Sequence, residues 1–160
     1  MSYREEKYKS WLESSQGCNK DFNNFLRKSF VVEIEDGEIW KGRYLEKANH
    51  NLDFASLVTG LHKTVIKEKF PNRTFYDWVT IAYYYAIYHA ALALISKAGL
   101  KSKSHLATLC GTINYYYHKE KRLEKKHIDI LGRNRKNKHR AVCRDPSSQR
   151  KSKLWCINNF

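Results

Sequence analysis

The chain has 160 residues, with 30 Lys or Arg against 16 Asp or Glu and a net charge of +14. A chain of this length fits one domain and can fold without a disulfide or a structural metal. The charge disfavours basic ligands and favours polyanions, with nucleic acid ahead of a membrane surface. Residues 101–160 hold 16 basic and 4 acidic residues, whereas residues 1–100 hold 14 and 12. The alternative interpretation is a solvated face that only keeps the protein soluble.

The cysteines and the first residues favour a reducing compartment. The four cysteines are far apart in the sequence, without a CxxC pair (Cys18, Cys110, Cys143 and Cys156). The first residues do not read as a secretory leader, so the sequence predicts a cytoplasmic protein with free thiols. A zinc site of His127, His139, Cys143 and Cys156 would match the spacing of no common finger. No metal or other cofactor is therefore predicted.

The N-terminal region, residues 1–42, is treated as an extension of uncertain structure. Within it, "FVVEIEDGEIW" (30–40) alternates like a short hairpin around Asp36-Gly37. A helical period starts near Tyr44 and is interrupted at Gly60, and its apolar residues share one face (Leu45, Ala48, Leu52 and Ala55). Pro71-Asn72 then breaks the chain, because proline disfavours a helical residue before it.

The stretch "DWVTIAYYYAIYHAALALI" (77–95) predicts the central helix of a soluble bundle. It is long enough to span a membrane, but it carries tyrosines near its middle, and tyrosine prefers the membrane interface to the hydrocarbon centre. Gly99 predicts the helix end. Two stripes have helical spacing: Trp78, Ala82, Tyr85, His89, Leu92 and Ser96 form one, and Ala86, Ala90 and Ala93 form another that is small enough for a close helix contact.

The remaining sequence predicts two further helices and a basic tail. Ser102 or Ser104 is positioned to cap a helix with its apolar face at Leu106, Leu109, Ile113 and Tyr116. The predicted fold is all-α, an up-and-down antiparallel bundle of four to five helices over residues 43–145. Residues 146–160 form the tail, and its apolar residues either pack back on the bundle or belong to a basic arm (Trp155, Ile157 and Phe160).

Two segments of the sequence form a recognisable pair, "YLEKANHNLDFAS" followed by "FYDWVTIAYYYAIYHAALALISKAGLKSKSH". Together they resemble the HEPN family (higher eukaryotes and prokaryotes nucleotide-binding). Family members pair a "KAxxNLxFA" helix with a "YYAxYHAAxALL" helix that ends in glycine, with a Ser/Lys-His signature after it. The likeness covers roughly residues 40 to 145. It implies a helical bundle that often dimerises, and in many members a ribonuclease paired with a minimal nucleotidyltransferase antitoxin or working in antiviral defence.

The resemblance also implies a site near the C-terminal helix. Active members use an Arg-x(4–6)-His motif with a polar residue after the arginine, which Arg133, Asn134 and His139 match. Histidine titrates near neutral pH and can exchange a proton with a ribose 2′-OH, and arginine stabilises the charge gained at phosphorus. Neither role requires a metal. On a continuous helix positions 133 and 139 lie about 240° apart, so their convergence needs a break near Gly132 or Asn137. Cations that would hold the RNA follow the motif (Arg135, Lys136, Lys138, Arg140 and Arg144).

A second function class stays open, namely a non-catalytic HEPN module that binds nucleotide, RNA or the nucleotidyltransferase partner. His89 is either a catalytic or nucleotide-contacting group or a core histidine with a bundle partner, such as a tyrosine hydroxyl or Asp77 of a neighbouring chain. Asp77-Trp78, at the start of the helix that contains His89, is expected to cap it and to favour its dipole, and His105 is either structural or adjacent to a ligand. The tyrosine clusters 83–85 and 115–117 either stack bases or pack between helices.

Overall fold

The secondary structure comes from a computed structural model that describes residues 3–133, with side chains from residue 7 to residue 132. Helices α1 to α7 span Tyr3–Glu13, Ser15–Arg27, Gly37–Leu61, Lys67–Lys69, Tyr76–Lys97, His105–Thr112 and Lys125–Arg133. Two π-helical segments, His62–Ile66 and Ile113–Lys119, connect α3 to α4 and extend α6. Two short strands, β1 (Val31–Glu33) and β2 (Leu100–Ser102), pair antiparallel with Val31 opposite Ser102. The predicted all-α helical bundle is confirmed.

The described residues form two compact units. The main unit contains residues 3–44 and 91–133, and the helix-pair unit contains residues 45–90. Helix α3 begins in the main unit and ends in the helix-pair unit, whereas α5 begins in the helix-pair unit and ends in the main unit.

The core of the main unit is built largely from the N-terminal helices and α6. Its buried residues come from α1, α2, both strands and the helices after residue 91 (Tyr8, Trp11, Leu12, Cys18, Phe22, Val31, Leu94, Ile95, Leu100, Ala107, Cys110, Ile113, Tyr116, Leu123 and Ile128). Asp21 of α2 accepts hydrogen bonds from the Trp11 indole and the Lys7 ammonium, both at 2.8 Å. These bonds lower the pKa of Asp21, against the opposing effect of its partial burial. Residues 1–42, whose structure the sequence left uncertain, therefore supply much of this core.

The helix-pair unit has a smaller core. Ala55 of α3 packs with Val79, Ala82 and Tyr83 of α5, and small side chains allow the two helices to approach closely. The stripe of Ala86, Ala90 and Ala93 on α5 is buried as expected, with at most 4% of any residue exposed. The other predicted stripe is not uniformly buried, because Trp78 is 60% exposed and Tyr85 42%.

Two sequence expectations before residue 61 are wrong. Residues 30–40 do not form a hairpin, since β1 pairs with β2 and helix α3 already begins at Gly37. Gly37 instead allows the backbone of Ser96 to come close, because a Cβ atom at Gly37 would lie 2.5 Å from the Ser96 carbonyl oxygen. The helix also starts seven residues before Tyr44 and continues through Gly60 to Leu61.

Other boundaries agree with the sequence. Helix α4 ends at Lys69, before Pro71, and α5 ends before Gly99, whose φ of +73° suits glycine. Ser104 caps α6, its hydroxyl accepting a hydrogen bond from the Ala107 N–H at 3.1 Å. Asp77 lies within the first turn of α5, after the helix start at Tyr76, so it is not the predicted cap, but its carboxylate still favours the helix dipole. Among the described residues, α5 has the length and apolar composition of a membrane span, and 67% of its most apolar window is buried within the protein.

Candidate functional site

The residues predicted for catalysis lie at and beyond the end of α7. Arg133 is the last residue of that helix, and only its backbone is described. Asn134 and His139 lie outside the described residues, as do all the predicted RNA-contacting cations (Arg135, Lys136, Lys138, Arg140 and Arg144). The approach of Arg133 to His139 therefore stays a prediction.

Helix α7 is packed against the main unit up to the residue before Arg133. Ile128 is fully buried in the main core. A Cβ atom at Gly132 would come within 3.0 Å of the Tyr8 ring of α1, so glycine is needed for this contact. Gly132 itself is helical, and Asn137, the other predicted place for a break, lies outside the described residues. The predicted motif thus begins directly after a tightly packed position, a feature that the sequence did not reveal.

The start of α7 contains a buried histidine that the sequence suggested only as a possible zinc ligand. His127 is 3% exposed, and its Nδ1 accepts a hydrogen bond from the Glu124 backbone N–H at 3.1 Å. Burial lowers the pKa of His127, the positive charge of Lys126 lowers it further, and Glu124 opposes both effects. An accepting Nδ1 must be unprotonated. The neutral imidazole therefore stabilises the beginning of the helix that leads to Arg133.

In the helix-pair unit, the two segments that carry the family resemblance meet at His89. The Asn51 amide nitrogen of α3 lies 3.4 Å from His89 Nδ1 of α5. The same amide donates to the Lys47 carbonyl oxygen at 2.7 Å, which fixes its orientation. Because an amide NH₂ group can only donate, Asn51 is the donor and Nδ1 the acceptor in this contact. The sequence predicted a bundle partner for His89 but did not identify Asn51.

Tyrosine rings surround His89 along the same helix. Tyr85 stacks on the His89 ring with centroids 5.9 Å apart, and Tyr88 lies 6.0 Å from it. Tyr84 and Tyr88 are nearly parallel, with an interplanar angle of 9° and a centroid distance of 6.5 Å. Tyr85 is 42% exposed and Tyr84, Tyr88 and His89 are half-buried. Tyr85 is therefore the ring of this group that a flat ligand can reach from solvent.

The other tyrosine cluster has a packing role in the main unit. The Tyr116 hydroxyl donates to the Leu94 carbonyl oxygen at 2.8 Å, and burial raises the pKa of Tyr116 to about 12. Tyr115 packs edge-on against Phe22 with centroids 5.6 Å apart. His105 is the exposed first residue of α6, directly after the Ser104 cap.

Two cysteines that are distant in the sequence meet in the main core. The Sγ atoms of Cys18 and Cys110 are 3.9 Å apart, and both residues are fully buried. The hydrogen bond to Cys18, together with burial, raises the pKa of the Cys110 thiol. Between residues 3 and 133 no group of three His, Cys, Asp or Glu residues is arranged to hold a metal ion.

Comparisons of the chain with protein-family models, with curated proteins and with solved structures found no match. The resemblance to the HEPN family thus depends on the two motif segments and on the Arg-x5-His spacing.

Proposed function

We propose that this protein is a HEPN-type ribonuclease that cleaves RNA without a metal through Arg133 and His139. The observation that carries the proposal is the contact of the two motif segments in one helix pair. Asn51 of "NLDFA" lies beside His89 of "YYAIYHAA", and Ala55 packs with Ala82 and Tyr83 of the same two segments. This pairing supports a common scaffold for both segments, as the family pattern requires.

The charge distribution supports RNA as the substrate. Residues 101–160 have a net charge of +12, and cations that neutralise phosphates release bound counterions from the nucleic acid. The predicted motif lies within this segment. Binding by these cations is therefore expected to weaken steeply with salt and to depend little on sequence.

The chemistry follows from the two side chains. The ribose 2′-oxygen attacks phosphorus, a 2′,3′-cyclic phosphate forms, and the bond from phosphorus to the 5′-oxygen breaks. His139 exchanges a proton with the attacking or the leaving oxygen, because imidazole titrates near neutral pH. The Arg133 guanidinium stabilises the negative charge that develops on the phosphoryl oxygens, and Asn134 supplies a polar contact beside it. The proposal includes a homodimer and a nucleotidyltransferase partner, as the resemblance implies, and a cytoplasmic location, which the cysteine pattern favours.

The test is RNA cleavage by the purified chain in EDTA. Replacing Arg133 or His139 by alanine is expected to lower the rate at least about 100-fold, the usual size of a general acid–base contribution. Arg73→Ala and His50→Ala are matched controls, because both residues are exposed and lie in the helix-pair unit. Equal loss in a control, or no loss in either motif variant, would contradict the assignment of these residues.

The second candidate function is a non-catalytic module that binds RNA or nucleotide. The stacked, solvent-accessible rings around His89 favour it, since a base stacked on an aromatic side chain contributes about 1–3 kcal/mol. Tyr85→Ala is then expected to weaken RNA binding, measured by fluorescence anisotropy. Binding that is lost in Tyr85→Ala, combined with no cleavage by the native protein, would favour this module over the ribonuclease.

A further inference from the structure

The helix-pair unit has an apolar groove with a volume of about 320 Å³. Its lining consists of apolar and aromatic side chains (Phe54, Val58, Ile66, Phe75 and Trp78). Phe54 is 44% exposed and Trp78 is 60% exposed. Large apolar rings grouped at a surface mark an interaction site. Because the lining offers almost no polar group, a charged occupant would lose its hydration without compensation. The groove therefore suits an uncharged, aromatic or aliphatic segment.

The size of the groove favours a segment of the same chain over a separate molecule. A stable protein–protein interface buries about 800 Å² per partner over about 20–30 residues a side, whereas five side chains line this groove. A tethered segment binds at an effective concentration in the millimolar range, so a small contact is enough to hold it.

One segment outside the described residues has the required composition. Residues 134–153 contain eight Lys or Arg, whereas residues 154–160, "LWCINNF", contain no charged side chain. Four of these seven residues are large and apolar (Leu154, Trp155, Ile157 and Phe160). This change from cationic to apolar sequence separates a phosphate-binding stretch from a stretch suited to an apolar surface.

The chain between Arg133 and Trp155 is long enough for Trp155 to reach the groove. Trp155 is 22 residues beyond Arg133, and an extended chain of that length spans about 70 Å. Helix α5, which runs from one unit into the other, has 22 residues and is therefore only about 33 Å long. The length of this chain segment therefore does not prevent Trp155 from contacting the groove.

We propose that residues 154–160 dock into this groove of their own chain, with Trp155 seated against Phe54 and Trp78. The basic residues 134–153 are then held at both ends, by the packed helix α7 before Arg133 and by Trp155 in the groove. The docking limits the paths that the cationic stretch can take and keeps it close to the protein. It does not rest on the proposed ribonuclease activity.

Fluorine NMR of the full chain labelled with 5-fluorotryptophan tests the docking without RNA. The four tryptophans are assigned by single Trp→Phe substitutions, and a peptide of residues 150–160 gives the signal position of undocked Trp155. The native Trp155 signal is expected away from the peptide position. Val58→Asp, which places a carboxylate in the groove, is expected to move it to that position. Val65→Asp is the control, because Val65 is 42% exposed and does not line the groove.

A reciprocal variant keeps the test valid if Val58→Asp impairs folding. Trp155→Ala is expected to shift the Trp78 signal and to leave the signal of Trp11, which is buried in the main core, unchanged. A native Trp155 signal at the peptide position would overturn the proposal. A displaced signal that returns to that position on dilution would also overturn it, since a second copy would then fill the groove.

Discussion

The main unit and the helix-pair unit bury their apolar residues to very different extents. In the main unit one cluster of fifteen buried residues joins the N-terminal helices, both strands and the helices after residue 91. In the helix-pair unit the corresponding cluster has four buried residues, three of them on α5. Large apolar side chains remain exposed in the helix-pair unit, including Phe54, Leu57 and Trp78. The difference indicates that the main unit carries the stability and that the helix-pair unit carries surfaces available for binding.

The composition of the two regions explains this difference. The main unit places aromatic residues such as Trp11 and Phe22 at its centre, where each ring removes a large apolar area from water. The helix-pair unit places alanines and Tyr83 between its helices and leaves other rings, such as Phe54 and Trp78, exposed. Small residues allow close helix contact but bury little area, so these exposed rings remain available to a ligand, a partner or the chain itself.

The largest expected difference in unfolding free energy is between alanine substitutions of two tryptophans, one in each unit. Trp11 is 2% exposed and donates to Asp21, so Trp11→Ala is expected to cost about 3–5 kcal/mol of unfolding free energy. Trp78→Ala is expected to cost about 1 kcal/mol or less, because this residue is 60% exposed. Urea unfolding of both variants measures the contrast, and equal losses would contradict the division of roles between the units.

Replacing one glycine in each unit by alanine is expected to change the stability of the protein in opposite directions. At Gly111 in α6 a Cβ atom would lie 2.7 Å from Ile95 Cδ1 and 3.1 Å from the Phe22 ring. Gly111→Ala is therefore expected to destabilise by about 1–3 kcal/mol through overpacking. A Cβ atom at Gly60 in α3 would lie in open space, so Gly60→Ala is expected to stabilise the helix by about 0.5–1 kcal/mol. Thermal unfolding measures both, and destabilisation by Gly60→Ala would show that the helix-pair unit is more tightly packed than described.

A third and smaller effect concerns the pH dependence of the main unit. The folded protein lowers the pKa of His127 from its ordinary value of 6.5. The contribution of neutral His127 to the unfolding free energy is therefore fully present above about pH 6.5. It decreases as the pH falls through the lower, folded pKa, because the unfolded chain binds the proton more readily. His127→Gln is expected to reduce the loss of stability on acidification, measured by urea unfolding between neutral and mildly acidic pH. The exposed His50→Gln is the control, and an unchanged pH slope in His127→Gln would refute this cause.

Local signals predicted those parts of the fold that depend on neighbouring residues. Pro71, Gly99 and Ser104 mark a break, a helix end and a cap, and each acts through the backbone of adjacent residues. The alanine stripe on α5 predicted its buried face for the same reason, since helical spacing is a local property.

Long-range packing could not be derived in this way. The Asp36-Gly37 pair favours a turn locally, but β1 pairs with a strand almost 70 residues away and Gly37 is needed for the approach of Ser96. The contacts between Cys18 and Cys110 and between Gly132 and Tyr8 likewise join distant segments without a sequence signal. Of the candidate site, the residue types and their spacing could be read from the sequence, and Asn51 beside His89 emerged only from the structure.

The most direct test of the central claim is end-group analysis of RNA after incubation with the native protein in EDTA. Fragments with 2′,3′-cyclic phosphate and 5′-hydroxyl ends are expected with the native protein and are expected to be absent with His139→Ala. Intact RNA with the native protein, 3′-hydroxyl ends, or the same fragments from His139→Ala would contradict the central claim.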